Sequence, residues 1–392
     1  MPSNDLLLTF NAGSSTVKIG IFAMEGTKAR RIGKGVIDFR AEQVSLGLSR
    51  GPQTFDMPLK AEVTEDLHDV IDETFARLAD HFDMAASRAA GHRVVHGGDR
   101  FTKAIALDAA AIGAIDALTP LAPLHQPQAL RFIRALAHLK PHLIQTASFD
   151  TAFHVTQDDL VRRLAIPRSL HDEGIKRYGF HGLSYKFIAG ELTRKAPQAA
   201  KAVVAHLGSG ASLCALEGGI SRDCSMGFST LDGIPMATRP GWLDPGIILY
   251  LAGERKQSLG EIEDLLYRRS GLLGVSGISA DTRDLLKDGR PEARQAIELL
   301  TLRIAGEIGR MAATLGGLDA VVFTAGIGEN QPEIRAGVAK RLAWLGLSID
   351  AKANAANDFT ISTGQSRMTA HVIATDEEQV IADEALSLLV AR

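Results

Sequence analysis

The chain has 392 residues, 45% of them hydrophobic and 5% aromatic, and its 43 Lys and Arg against 46 Asp and Glu give a net charge of −3. This length allows two domains with substantial cores, and the near balance of charge argues against a broad basic surface for nucleic acid. The two cysteines, Cys214 and Cys224, are too few for a disulfide framework and lack the spacing of a zinc site. We therefore expect a cytoplasmic protein with reduced cysteines. We also expect no signal peptide and no membrane span, because the apolar run after Met1–Asp5 has only five residues and Met311–Gly328 is interrupted by glycines and Asp319.

The first predicted element is a strand–turn–strand at Leu6–Phe22. Apolar runs at Leu6–Phe10 and Val17–Phe22 flank a small polar turn, and the second run alternates in the manner of a strand, with Lys18 on its polar face. Gly13 allows a close turn, and the surrounding amides and hydroxyls form a donor-rich concavity suited to phosphate. An ordinary hairpin turn would have the same composition.

The same pattern returns at Val203–Leu216, again as an apolar run, a Gly-Ser turn and an alternating run. The return of this pattern in the second half of the chain indicates a duplicated fold. We expect one phosphate-binding turn in each half and a nucleotide in the cleft between the halves.

After the first hairpin, alternating strand and helix patterns predict an α/β half-domain. Its further strands are predicted at Ala29–Phe39, Gln53–Leu59, Ala89–His96 and Leu143–Phe149, and its helices at Ala61–Phe82, Asp108–Leu118 and Pro127–Leu139.

The second half repeats this order. Its strands are predicted at Ala202–His206, Ser212–Glu217, Ile220–Cys224, Ala320–Thr324 and His371–Thr375, and its helices at Leu259–Arg269, Glu292–Leu315, Gln331–Leu345 and Glu377–Val390. We place the boundary near Asp150, giving domains 1–150 and 151–392, with the helix at about 377–392 packing back on the first domain.

Two arginines lie where they could hold an anion. Arg93 is inside an apolar strand, and Arg239 is in a loop crowded with Pro and Gly, where a rigid backbone presents one side chain accurately. A planar guanidinium suits a carboxylate or phosphoryl group, although a surface arginine would fit the same pattern. Asp150 follows a strand at its carboxyl end, where ligands of α/β sheets gather, or it caps the next segment.

The remaining candidates are histidines, glycines and acids in irregular segments. His125 and His181 lie in Gly/Pro-restrained loops, where a surface or hydrogen-bonded role is the alternative to catalysis. Phe323–Asn330 is predicted to run from strand through a Gly-rich loop to a helix start, a natural place for phosphate. Asp376–Glu378 begins the last helix, where acids complement the helix dipole and also suit Mg²⁺.

Taken together, these segments resemble the acetate kinase family over essentially the whole chain. The matching motifs are LLLTFNAGSSTVKIGIF, GHRVVHGGDRFT, LAPLHQP, FDTAFH, RYGFHGLS, AHLGSGAS, SMGFSTLDGIPMATRPG, GISADTRDL, FTAGIGEN and ATDEEQVIADE. The resemblance implies a duplicated actin-like (ribonuclease H-like) α/β ATPase fold and a homodimer. It also implies reversible phosphoryl transfer from Mg-ATP to acetate, giving acetyl phosphate and ADP, with Mn²⁺ as an alternative to Mg²⁺.

The resemblance also assigns roles to residues of this sequence. The implied catalytic residues are Asp150, His181, Arg239, Arg93 and His125. The implied acid-binding residues are Arg93, Val95, Leu124, Phe180 and Arg239. The implied nucleotide-binding residues are Ser14, Thr16, Lys18, His206, Gly208, Ser209, Gly210, Asp281, Thr282, Arg283, Gly326, Ile327, Gly328 and Asn330. The implied metal-site residues are Asn11 and Glu377.

Some positions depart from the common pattern of the family, and two alternatives stay open. The departures are Gln126, Leu183, Tyr185, Ser209 and Thr230. Thr230 replaces a proline of the acyl pocket, and because one methylene is worth only about 1–3 kcal/mol in such a pocket, a kinase preferring propionate or butyrate is the near alternative. A non-catalytic actin-like nucleotide-binding assembly protein is the alternative from a different class.

Overall fold

The structure, a computed structural model, describes residues 5–13, 16–40, 43–64 and 66–390 of the chain. It divides into two units, Met1–Phe153 with Asp376–Arg392 and His154–Thr375. Each unit is built around one β-sheet with helices packed against it.

The strands are labelled β1–β13 in chain order. They are β1 (Leu6–Ala12), β2 (Thr16–Glu25), β3 (Lys28–Asp38), β4 (Ser45–Arg50), β5 (Gln53–Pro58), β6 (Ser87–Val94), β7 (Ile105–Ala106), β8 (Ile144–Phe149), β9 (Lys201–Leu207), β10 (Ala211–Glu217), β11 (Ile220–Cys224), β12 (Ala320–Thr324) and β13 (Thr369–Val372).

The helices are labelled α1–α15 in the same way. They are α1 (His68–Ala79), α2 (Ala109–Asp116), α3 (Gln126–Leu139), α4 (Asp159–Arg162), α5 (Arg168–Asp172), α6 (Gly182–Lys195), α7 (Pro245–Gly253), α8 (Leu259–Arg268), α9 (Gly271–Ser276), α10 (Thr282–Lys287), α11 (Pro291–Leu315), α12 (Ala325–Asn330), α13 (Pro332–Arg341), α14 (Ala351–Ala356) and α15 (Glu377–Val390). No helix within these described stretches is both long and apolar enough to cross a membrane.

The two sheets share one topology. The first has the order β5-β4-β3-β2-β1-β6-β8-β7, and the second has the order β11-β10-β9-β12-β13. In each sheet an antiparallel meander, of the five strands β1–β5 in the first and the three strands β9–β11 in the second, leads through its first strand to two parallel strands, β6 and β8 or β12 and β13. The repeat seen in the sequence is therefore a repeat of structure, as an actin-like fold requires.

The first sheet is covered on both faces, which explains the unbroken apolar run of β1. Leu6, Leu8 and Phe10 point into a core shared with α1 and α3, while Leu7 points to the opposite face, against α15. The helix α15 lies so close to β6 that a Cβ added at Gly91 would be 2.6 Å from the Ile381 Cγ2. Because successive side chains of a strand point to opposite faces, alternate residues of β1 pack into two different hydrophobic cores.

In the second sheet the central strand β12 is fully buried and β9 is buried beyond its first residue, and the 25-residue helix α11 packs against β9–β11. Cys214 and Cys224 lie opposite each other on β10 and β11, both buried and not disulfide-bonded. Burial raises the pKa of both thiols, that of Cys224 to about 12. The prediction that both cysteines lie in or near the core is confirmed.

Several predicted elements are wrong in extent or type. The helix expected over Ala61–Phe82 is only His68–Ala79, because Leu67 before it has a left-handed backbone (φ 58°). The segment expected as a Gly-rich loop is the short helix α12, and the helix expected over Gln331–Leu345 starts at Pro332, a favoured first position, and ends at Arg341.

Candidate active site

Polar residues of the first unit meet at the carboxyl ends of three adjacent strands. β1, β6 and β8 are parallel neighbours, with Asn11 near the end of β1, Arg93 near the end of β6 and Asp150 directly after β8. Because parallel strands end at the same edge of a sheet, this topology brings the three side chains together.

Arg93 is the centre of this cluster. Its Nη2 and Nε donate to Oδ2 of Asp150 at 2.6 and 3.1 Å, and its Nη1 donates to Oδ1 of Asn11 at 3.3 Å. The side chain of Asp150 is 1% exposed and that of Arg93 is 12% exposed. Burial disfavours the charge on Arg93, but the nearby carboxylates, Asp150 first and Glu377 next, raise the pKa of its guanidinium above the usual value.

The start of α15 completes the cluster with carboxylates. The Asn11 amide donates to Oε2 of Glu377 at 2.7 Å and to Oε1 of Glu378 at 2.8 Å. Arg31 of β3 holds this helix start through two hydrogen bonds to Asp376, at 2.7 and 2.5 Å. The cluster therefore contains three carboxylates and one guanidinium, so it favours a cation.

The amide and carboxylate oxygens of this cluster are the hard ligands that Mg²⁺ takes, a few at a time, with water and phosphate completing its shell. Within the described residues, no group of three His, Cys, Asp or Glu side chains is arranged to enclose a metal ion. The donor set thus fits a Mg²⁺ held through a few contacts better than an ion enclosed by protein.

The other candidates of the first unit lie in segments next to the cluster in sequence. Val95 is buried, Leu124 and His125 are half-buried, and His125 immediately precedes α3. Gln126 ties these two segments together, because its side chain accepts from the His96 amide at 3.2 Å and donates to the His96 carbonyl at 2.9 Å. This departure from the family pattern therefore has a structural role.

The first hairpin is the strand–turn–strand that was predicted. Thr16 opens β2, Lys18 lies opposite Asn11 in the ladder, and the Gly13 amide donates to the Thr16 carbonyl at 2.9 Å. A Cβ at Gly13 would be 3.2 Å from that carbonyl oxygen, so the turn is tight. Ser14 lies outside the described residues.

In the second unit, two histidines stack beside the β9–β10 turn. The rings of His181 and His206 are 4.2 Å apart and nearly parallel. Nδ1 of His181 lies 2.8 Å from Oγ of Ser212, and Nδ1 of His206 lies 2.8 Å from Oγ of Ser184. His181 has a left-handed backbone (φ 56°) just before α6, which directs its ring towards the hairpin.

The loop that carries Arg239 is fixed by backbone hydrogen bonds to the start of α9. The amides of Ser270 and Leu272 donate to the carbonyls of Thr238 and Met236 at 3.0 and 2.9 Å. Gly271 between them has φ 61°, and a Cβ there would be 2.2 Å from the Met236 carbonyl oxygen. Only glycine permits this approach.

Arg239 and His181 converge on Gly210 in the β9–β10 turn. A Cβ added at Gly210 would be 2.7 Å from Nη2 of Arg239 and 3.5 Å from Nε2 of His181. Arg239 donates to the Thr230 carbonyl at 2.8 Å, and burial lowers the pKa of its guanidinium. No carboxylate of the described residues forms an ion pair with it. This charge therefore remains available to an anion.

A cavity of about 600 Å³ opens beside the same turn, within the size range of small-molecule sites. It is lined by Gly208, Ser209, Ala237, Leu272, Ala280, Asp281, Thr282, Arg283, Gly326, Ile327, Asn330 and Gln331. The predicted nucleotide-binding segments of the second half are thus brought to one place, although Asp281 and Arg283 also pair with each other across the start of α10 at 2.5 Å.

Gly328 is the one predicted glycine of α12 that does not line this cavity. Its carbonyl accepts from Nη1 of Arg335 at 2.8 Å, and the fully buried Arg335 also donates to Asn354 and Asn357 of the neighbouring segments. At the other end of α12, Oε1 of Glu329 accepts from the Ala325 amide at 2.8 Å. These contacts position the cavity wall.

Sequence reasoning missed several residues of both sites. Glu378 was predicted only as one of the acids at Asp376–Glu378 that suit Mg²⁺, and its contact with Asn11 was not predicted. Ser212 was not predicted, and neither were Ala237, Leu272, Ala280 and Gln331 of the cavity. These residues meet the site through contacts between distant segments, which the sequence does not display.

The amino-acid sequence is similar to known proteins over nearly its whole length. The sequence model described as the acetokinase family matches residues 6–383. The acetate kinase of Nitrobacter hamburgensis is 45% identical over 394 residues, covering 99% of this chain and 97% of the relative.

Solved structures give the same match. The propionate kinase of Francisella tularensis has a TM-score of 0.90 at 34% identity, covering 98% of this chain and 100% of that one. The acetate kinase of Porphyromonas gingivalis has a TM-score of 0.86 at 30% identity, with the same coverage.

Proposed function

The chain belongs to the acetokinase family, and we propose that it transfers the terminal phosphoryl group of ATP reversibly to acetate, giving acetyl phosphate and ADP. The observation that carries this proposal is the convergence of Arg239 and His181 on Gly210, beside the cavity of about 600 Å³. That arrangement offers positive charge and hydrogen-bond donors next to a space suited to a nucleotide.

Phosphoryl transfer requires little covalent help from the protein. Its loose transition state spreads negative charge over three equatorial oxygens and needs in-line reactants. Arg239, whose charge meets no carboxylate within the described residues, is the group proposed to stabilise that charge, with His181 as a second donor. His206 and Gly208–Gly210 are proposed to contact the phosphates of the nucleotide.

The cavity is proposed to hold the nucleoside. Asp281–Arg283, Gly326, Ile327 and Asn330 line it with both apolar and polar atoms, which matches a base and a ribose. Gly328 does not line the cavity, and it is proposed to help position α12, which forms part of the cavity wall.

The first unit is proposed to bind the acid and the metal. Arg93 offers its guanidinium to the acetate carboxylate, and Asp150 holds that guanidinium through the 2.6 Å hydrogen bond. The resemblance to the family supports Val95, Leu124 and Phe180 as the apolar side chains proposed to contact the acyl group, with His125 proposed to support them. Thr16 and Lys18 are proposed to bind phosphate.

Asn11 and Glu377 would hold Mg²⁺, with Glu378 beside them. When bound, the ion neutralises phosphate charge and orients the nucleotide. Removal of Mg²⁺ with EDTA should abolish transfer, and Glu377→Gln should raise the Mg²⁺ concentration needed for half-maximal rate.

The test of the proposed function is acyl phosphate formation from Mg-ATP, trapped with hydroxylamine, in parallel reactions with acetate, propionate and butyrate and a blank without acid. A larger amount of acyl phosphate from acetate than from propionate or butyrate supports the proposal. No acyl phosphate from any acid, with nucleotide binding intact, would overturn it and favour the non-catalytic alternative.

A preference for propionate is the second candidate, because the structural match to the Francisella tularensis propionate kinase has a TM-score of 0.90. The same assay separates the two acids. A higher kcat/KM for propionate than for acetate would establish this second candidate.

A second copy of the chain is the proposed partner. Three large apolar side chains of the second unit, Leu160, Trp242 and Leu302, are 83%, 65% and 49% exposed and line one cavity. Light scattering after size exclusion should give the dimer mass, and Trp242→Arg should shift it towards the monomer. A monomer for the unaltered chain would contradict this proposal.

A further inference from the structure

A chain of hydroxyl groups in the second unit ends on His181. Oη of Tyr185 lies 2.5 Å from Oγ of Ser212, and that oxygen lies 2.8 Å from Nδ1 of His181. Tyr185 and Ser212 are both fully buried, while His181 is half-buried. Two elements contribute, since Ser212 is on β10 and Tyr185 is in α6, which His181 immediately precedes.

The Tyr185 hydroxyl is held in one place by its surroundings. The Tyr185 ring meets His206 edge-on at 6.3 Å and His154 edge-on at 5.8 Å. Its amide donates to the His181 carbonyl at 3.0 Å in the first turn of α6. The phenol therefore has little freedom to leave Ser212.

The chemistry of the three groups sets the direction of the hydrogen bonds. A phenol, with a pKa of about 10, is a stronger donor and a weaker acceptor than an aliphatic hydroxyl. Tyr185 thus donates to Ser212, and the single Ser212 proton is directed to Nδ1 of His181. A neutral imidazole that accepts at Nδ1 carries its proton on Nε2.

We propose that Tyr185 and Ser212 are positioning residues that fix His181 as the Nε2–H tautomer, so that its ring presents a donor to the transferred phosphoryl group. Nε2 is the ring nitrogen that lies beside Gly210 and Arg239. In the other tautomer, Nε2 would turn a lone pair towards an anion. This inference rests on the role proposed for His181 and adds what prepares the ring for it.

The test compares Tyr185→Phe with Tyr178→Phe as its matched control. Tyr178 is a buried tyrosine of the same unit whose hydroxyl donates to the Gly174 carbonyl at 2.8 Å, whereas the Tyr185 hydroxyl bonds Ser212. Tyr185→Phe should lower kcat about tenfold with KM for ATP and acetate within about twofold, because partners that orient a reacting ligand typically contribute about 10–100-fold. Tyr178→Phe should leave kcat unchanged.

Substitutions at Ser212 should have a larger effect on kcat than Tyr185→Phe, and they include a conservative variant that should restore the rate. Ser212→Ala should lower kcat about 100-fold, since Nδ1 then loses its donor and both tautomers form, and Ser212→Thr should restore most of the rate. An equal loss in Tyr185→Phe and Tyr178→Phe, or no rescue by Ser212→Thr, would show a structural role only.

The tautomer itself is measured by ¹⁵N NMR of protein labelled at histidine. The His181 signal is assigned by its loss in His181→Asn, which suits the left-handed backbone there. The unaltered protein should show Nε2 protonated and Nδ1 unprotonated, and Tyr185→Phe should show a mixture. A proton on Nδ1 in the unaltered protein would overturn the inference even if the variants were unstable. Absence of acyl phosphate from the unaltered protein would instead count against the proposed function.

Discussion

The two units share a sheet topology but hold their arginines in opposite ways. Arg93 lies at a strand end and is paired with Asp150, with Glu377 close enough to raise its pKa further. Arg239 lies on a loop, has no carboxylate partner within the described residues, and burial lowers its pKa. The first cluster is thus rich in negative charge and the second in positive charge. Duplication supplied one scaffold, and the residues at its turns and strand ends set the charge of each half.

Loss of Arg239 should have the largest effect of any single change. Arg239→Ala removes a charge that no carboxylate of the described residues pairs with, so we expect kcat/KM for acyl phosphate formation to fall about 10³-fold. Arg268→Ala is the control, because the Arg268 side chain is 70% exposed and pairs with Asp264 on the same helix. A rate above one-tenth of the unaltered value would remove Arg239 from the proposed mechanism.

Asp150→Asn should destabilise the folded protein, because Arg93, unlike Arg239, depends on a carboxylate partner. It leaves the buried Arg93 without its main counter-charge, which should cost about 3 kcal/mol in the free energy of unfolding measured with urea. Asp116→Asn, which breaks an exposed pair with Arg134, should cost under about 1 kcal/mol.

The double change Arg93→Met with Asp150→Leu should recover part of the stability lost in Asp150→Asn but none of the activity. If Asp150→Asn were as stable as the unaltered protein, the ion pair would not be what holds Arg93.

Gly271→Ala should disturb the loop of Arg239 without touching Arg93. The added Cβ would be 2.2 Å from the Met236 carbonyl oxygen, so we expect a shifted loop and a fall in kcat of about 10²-fold. Gly277→Ala is the matched control, since Gly277 also has a positive φ (63°) but no atom within 4 Å of the added Cβ. Equal activities in the two variants would show that strain alone, and not the position of Arg239, is being measured.

Acidification should affect both units in the same sense. Burial lowers the pKa of His92 in the first unit and His154 in the second, each to about 4. Between pH 6.5 and about 4 the unfolded chain binds these protons and the folded chain does not, so stability is complete above pH 6.5 and falls as the pH is lowered. Each histidine should contribute a slope of about 1.4 kcal/mol per pH unit.

His92→Gln keeps a side chain that can form a hydrogen bond with Gln145. It should reduce the dependence of the unfolding free energy on pH, between pH 6.5 and 5, by about 1.4 kcal/mol per pH unit, the contribution of one histidine. An unchanged slope would contradict the lowered pKa.

The fold was largely predictable because periodicity and turn residues are local. The limits predicted for β11, β12 and α15 match the structure, and the repeat of Leu6–Phe22 at Val203–Leu216 proved to be one hairpin in each sheet. Errors arose where tertiary contacts overrode local patterns, as at Leu67, whose left-handed backbone shortens a periodic apolar segment.

The site was predictable by motif but not by geometry. Arg93 was singled out as a charge inside an apolar strand, Asp150 by its place at a strand end and Arg239 by its rigid loop. The Ser212–His181 contact and the cavity wall at Ala280 and Gln331 join segments far apart in the chain, so no sequence pattern could have displayed them.

The place of α15 has a consequence for how the protein is made. The first unit packs β1 and β6 against a helix that is synthesised only after the whole of His154–Thr375. The second unit is continuous in sequence, whereas the first has one apolar face of its sheet uncovered until the end of the chain has been synthesised. A stop codon just before Glu377 would therefore remove both a wall of the core and the carboxylates beside Asn11. Such a truncated chain would be a substrate for chaperones and proteases.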